Sequence, residues 1–139
     1  MKVLKAFWAG FASTLVFHQG MLGILHGLGM VSAAPYSLAP TVPLHIPQVL
    51  SLAFWGGVWG IPLRLVIRSR AGMGYWQVAI LFGALAPSLV AWFVVFPLKG
   101  QPVAAGGQPL LLLAGLLLNG AWGGGTAFFL RLLERSPSS

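Results

Sequence analysis

His18, Gln19 and His26 lie close together in an otherwise apolar stretch, and Asn119 lies in a second one. On a helix turning about 100° per residue, Gln19 and His26 differ by about 20°, and His18 lies about 80° from His26. The three therefore form one broad polar face. An imidazole with an ordinary pKa of about 6.5 can exchange a proton near neutrality, and an amide beside it can both donate and accept hydrogen bonds. In hydrocarbon such groups are costly unless they meet protein, water or a solute. The chemistry open to them is thus a path for a proton or small solute, or a set of bonds between helices, with Asn119 as the expected partner across the bundle.

Other chemistry has little to build on. Eight helical residues separate His18 from His26 by about 12 Å, whereas zinc–nitrogen bonds are about 2 Å, so no metal site is expected. The chain has no cysteine, and its single acid is Glu134. Neither a carboxylate pair nor a Ser-His-Asp arrangement can be assembled, and no enzyme activity is expected. Haem could be ligated only if His18 or His26 met a histidine of another subunit; no cofactor is otherwise expected. Gly123-Gly124-Gly125 lacks the following Lys-Ser or Lys-Thr of a phosphate loop. His45, in a proline-rich segment, reads as an ordinary surface histidine.

The residues that matter are carried on membrane-length apolar segments. With 58% hydrophobic and 6% charged residues, a soluble chain of this size would have too little polar surface. Four spans are expected, at about 6–31, 49–67, 75–98 and 109–133, each near the roughly 20 residues needed to cross a bilayer core. The whole chain, 1–139, then forms one all-α membrane domain. Its eight basic residues against one acid suggest nucleic acid by composition alone. Their placement excludes that reading, because Lys2, Lys5, Arg64, Arg68, Arg70, Arg131 and Arg135 all flank spans on one side and only Lys99 falls on the other. They are topology anchors facing anionic lipid, which puts both termini in the cytoplasm. A cleavable signal ending near Ala33 is the competing reading of the first span. That span is longer than the usual core of about 7–15 residues and is interrupted by His18, Gln19 and His26, so its retention is expected.

Trp55-Gly56-Gly57 with Arg64 and Arg68-Ser69 recurs as Trp122-Gly123-Gly124 with Arg131 and Arg135-Ser136, at one constant offset. This echo predicts two helical hairpins in parallel orientation, an internal repeat. Small residues at Gly56 and Gly60, and at Gly123 and Ala127, predict packing seams, since close backbone approach is the main source of helix contact in lipid. Gly20, Gly23 and Gly27 fall within about 60° of one another and predict a third seam on the first helix. Trp55 and Trp122 are expected inside the bundle, with their indole donors partnered. Pro35, Pro40, Pro43 and Pro47 predict an extended external loop that caps an opening, and the tail from Ser136 to Ser139 is expected to fray.

The functional expectation is a small transport or channel-like protein of a bacterial cytoplasmic membrane, with His18, Gln19, His26 and Asn119 along the path. The alternative is a noncatalytic accessory or assembly subunit, homodimeric or docked on a larger membrane complex, in which the same residues lock helices together.

Overall fold

The computed structural model describes residues 1–135. The expected frayed tail and the last residue of the echo, Ser136, lie outside them. Helix α1 runs as three consecutive segments, Lys2–Ser13, a π-helical turn Thr14–His18, and Gln19–Gly27. It starts before the expected Ala6, where the Lys5 amide already bonds the Met1 carbonyl; lysine stems extend the helix while their ammonium groups remain in water. It also ends before the expected Val31. Gly29 takes a left-handed φ of 77°, and Met30 and Gly29 donate to the carbonyls of Leu25 and His26. That pairing closes the helix end in a turn that glycine adopts without strain.

Helix α2 is Gln48–Ile67, and α3 is Gly72–Leu98, with a second π-helical turn at Ala91–Val95. Helix α4 is Pro109–Glu134. Among the described residues there is no strand, only an isolated bridge between Pro40 and Pro47 in the long loop. The structure is all-helical, and three helices are long and apolar enough to cross a membrane: α2, α3 and α4. Helix α1, which carries His18, Gln19 and His26, is not among them, against the four spans expected.

Packing follows the small residues. Helix α1 lies against α2 and α4, α3 lies against α4, and α2 touches α3 only lightly. A Cβ on Gly60 would strike the Ala6 carbonyl, one on Gly56 would strike the Thr14 hydroxyl, and one on Gly123 would strike the Ala79 carbonyl. Ala127 is buried. These seams let backbones approach closely enough to gain extensive dispersion contacts.

The node where α1, α2 and α4 converge is held by Gly10, a residue the sequence reading passed over. Its carbonyl accepts both the Thr14 hydroxyl at 3.0 Å and the Trp122 indole N–H at 3.1 Å. Ser13 donates in turn to the Trp122 carbonyl at 2.7 Å, and a Cβ on Gly125 would collide with Ser13 and Phe17. Every polar group at this node is thereby partnered.

Three expectations fail here. Trp122 is 3% exposed, but Trp55 is 57% exposed and points out of the bundle. Helix α4 is gripped between α1 and α3, whereas α2 rests mainly on α1, so only one of the two Trp positions has a helix to enter. The echo is likewise not carried into packing. Gly123 stands against Ala79 and Gly83 as Gly60 stands against Ala6 and Gly10, so the seam equivalent of Gly123 is Gly60, about one helical turn from the Gly56 that the echo pairs with it. Lastly, the Gly20, Gly23 and Gly27 stripe packs against no helix. Space is open beside Gly20 and Gly27, and the Pro35 ring alone approaches Gly23.

All the basic residues but Lys99 gather at one end. Arg64 and Glu134 form an ion pair at 2.8 Å across α2 and α4, and the Arg131 guanidinium lies 4.3 Å above the Tyr75 ring and 5.3 Å from that of Trp76. Tyr75 also donates its hydroxyl to the Ala127 carbonyl, pinning the start of α3 to the end of α4.

Candidate functional site

The π-helical turn determines what surrounds His18 and Gln19. In it the Gln19 amide bonds the Thr14 carbonyl, five residues back. The Leu15 carbonyl, the acceptor an α-helix would have used, receives the Tyr36 hydroxyl at 2.7 Å. Widened turns of this kind often mark places where a helix is adapted to an inserted group.

The group inserted here is the protein's own loop. Tyr36 has a left-handed φ of 57°, unusual for a residue with a side chain. In that conformation its backbone N–H reaches the Gln19 Oε1 at 2.7 Å. The Gln19 Nε2 meets the His18 Nδ1 at 3.0 Å, so the amide is engaged at both ends, and Gln19 is 1% exposed. Since a glutamine Nε2 can only donate, His18 Nδ1 is the acceptor in this pair. The absence of a side chain at Gly23 gives Pro35 room to cover α1.

His26 and Asn119 are elsewhere. His26 is exposed near the end of α1, with its Nδ1 3.3 Å from the Val31 carbonyl. Asn119 does not face α1: its Nδ2 donates to the Ser88 Oγ of α3 at 2.8 Å, and Ser88 donates to the Gly115 carbonyl at a long 3.5 Å. The four residues expected along one path thus divide into a His18–Gln19–Tyr36 cluster, an α3–α4 clasp and an exposed histidine. Among the described residues, no buried side-chain nitrogen or oxygen lacks a partner, and no three metal-ligating side chains lie together.

A half-enclosed cavity of about 270 Å³ adjoins Gln19, at the end away from the Arg64–Glu134 pair. Leu22, Ala33, Ser37, Gln48 and Leu52 contribute to its wall, so it mixes apolar surface with amide and hydroxyl groups and no formal charge. Tyr36, Ser88 and Gly10 are the residues missed by sequence reading. For Tyr36 the available signal was the preceding Pro35 in a loop long enough to fold back. Ser13, which lies one heptad before Gly20 on the small-residue face of α1, bonds the Trp122 carbonyl instead of serving that stripe.

No protein-family model, curated protein or solved structure matches the chain.

Proposed function

We propose that the protein is a noncatalytic, multi-pass subunit of a bacterial cytoplasmic membrane that holds a partner transmembrane helix. All four helices span, both termini are cytoplasmic, and the two hairpins run in the same direction. The basic residues at the Lys2, Arg68 and Arg135 end support that orientation. Helix α1 can span despite His18 and Gln19 because their bond to each other and that of Gln19 to Tyr36 remove most of the cost of carrying them into lipid.

The observation that carries the reading is where the intramembrane polar groups point. Gln19, Ser13, Trp122, Ser88 and Asn119 are each engaged within the chain, in separate clusters. A solute path needs polar groups that face a lumen, and a docking scaffold needs them locked. The face left over on α1, with space beside Gly20 and Gly27, is suited to the close approach of another helix.

Native mass spectrometry of the protein released from its own membrane tests this. A second polypeptide should accompany it, and the Gly20→Leu/Gly27→Leu variant should lose that companion while its own fold is retained. A single chain without companion, or a companion indifferent to both substitutions, would refute the proposal.

A second reading has one observation in its favour. The cavity beside Gln19 could take up a small neutral solute, as the first stage of transport. Liposomes containing the protein would then show flux that Gln19→Leu abolishes.

A further inference from the structure

A second hollow lies at the light contact between α2 and α3. It has a volume of about 400 Å³ and is open along one side. Val66 of α2 and Val78, Phe82, Leu85, Ala86 and Leu89 of α3 line it. The edge-to-face contact of Trp59 with Phe82, at 6.3 Å between ring centroids, bridges the two helices nearby. From Val78 to Leu89 the wall runs about 16 Å along the helix axis. Both helices are long and apolar enough to cross a membrane. At that depth the hollow faces hydrocarbon, and water gains nothing from such walls.

The turn joining α2 to α3 crosses one end of this groove, and it carries Arg68 and Arg70. Both are exposed. The neighbouring cations are engaged differently: Arg64 is paired with Glu134, and Arg131 is stacked over Tyr75 and Trp76. Two guanidinium groups on one short turn, at the polar end of an apolar groove of acyl-chain length, match a phosphodiester attached to a hydrocarbon chain. An arginine fork suits phosphate oxygens in pairs.

We propose that this groove binds one anionic phospholipid, with an acyl chain along α3 and the headgroup phosphate held by Arg68 and Arg70. The inference rests on α2 and α3 spanning the bilayer and is independent of what docks on α1. A zwitterionic lipid offers the same chain without net charge, so selection between headgroups reads the arginines, and occupancy of the groove reads the chain.

The test is native mass spectrometry of the full-length protein released from bilayers of equal parts phosphatidylglycerol and phosphatidylcholine. One phosphatidylglycerol should be retained in preference, and Arg68→Gln/Arg70→Gln should lower that retention about thirtyfold, from about one cation's surface attraction at each position. Ala86→Phe, which fills the groove and leaves both arginines, should release the lipid as well. In the unaltered protein, a photoreactive acyl chain should label the segment from Val78 to Leu89, a readout that does not depend on any variant folding. Equal retention of the two lipids, indifference to either variant, labelling confined to other helices, or a lipid-free pair of chains joined over this face would each overturn the proposal.

Discussion

The two hairpins, α1 with α2 and α3 with α4, use the same devices for support and different ones at their outer ends. Each has a glycine seam, with Gly10 and Gly60 in the first and Gly83 and Gly123 in the second. Each first helix contains a π-helical turn, and each closes on a left-handed glycine, Gly29 or Gly100, with paired amide bonds to the preceding turn. Beyond that point they diverge. The second hairpin returns through a short connection that includes left-handed Ala104, Ala105 and Gly106, and its polar pair, Ser88 and Asn119, simply joins α3 to α4. The first returns through a loop long enough to fold back, and Tyr36 of that loop engages both the side chain of Gln19 and the carbonyl of Leu15. A shared scaffold thus carries a distinctive site only where extra loop length supplies partners for it.

The largest effects should separate seam glycines from open ones. A side chain at Gly10 would meet the Gly56 carbonyl, and one at Gly123 the Ala79 carbonyl; both are backbone groups that cannot swing aside. Gly10→Leu and Gly123→Leu should each destabilise the protein by about 3 kcal/mol or more in steric-trap unfolding, as overpacking against backbone does. Gly20→Leu has open space and should stay within about 0.5 kcal/mol for the isolated chain. Equal damage at Gly10 and Gly20 would show that the α1 stripe packs internally after all.

A smaller effect distinguishes the two tryptophans. Trp122→Phe keeps most of the ring but removes the N–H that the Gly10 carbonyl accepts, and it should cost about 1 kcal/mol. Trp55→Phe alters an outward-facing side chain and should fall within about 0.5 kcal/mol in the same assay. Similar losses at both positions would restore the symmetric packing that the Trp-Gly-Gly echo predicts.

Long apolar runs made the helices legible, because a segment long and apolar enough to cross a bilayer must satisfy its backbone as a helix. The seam at Gly56, Gly60 and Gly123 was legible for a similar local reason: small residues one turn apart have one main use in lipid. What could not be read was which face of each helix meets which neighbour. Trp55 and Trp122 have matching local sequences, and their different burial comes from α4 having two close neighbours where α2 has one. Asn119 is the expected partner of α1 if α4 closes on α1; α4 does lie against α1, but Asn119 is on the side that faces α3, where Ser88 beside Pro87 accepts its bond. His18 and Gln19 stand out by polarity alone, but the partner of Gln19, Tyr36, lies in a segment whose return path is governed by a left-handed residue that no periodicity announces.

The finest distinction lies between the two polar clusters, and a coupling measurement can resolve it. If Asn119 acts through Ser88, a double-mutant cycle of Ser88→Ala with Asn119→Ala should give an interaction of about 0.6 kcal/mol, the usual size for a bond between membrane helices. Gln19→Leu with Asn119→Ala should instead be additive, with a coupling below about 0.3 kcal/mol, because the two amides share no partner. Gln19→Leu alone leaves the Tyr36 amide without its acceptor, so the loop should also become easier to cleave by protease, while Asn119→Ala leaves cleavage unchanged. Coupling between Gln19 and Asn119 as large as that between Ser88 and Asn119 would mean that the clusters communicate through a common polar interior. The transport reading would then take precedence, since a locked scaffold has no reason to connect its two hairpins through those side chains.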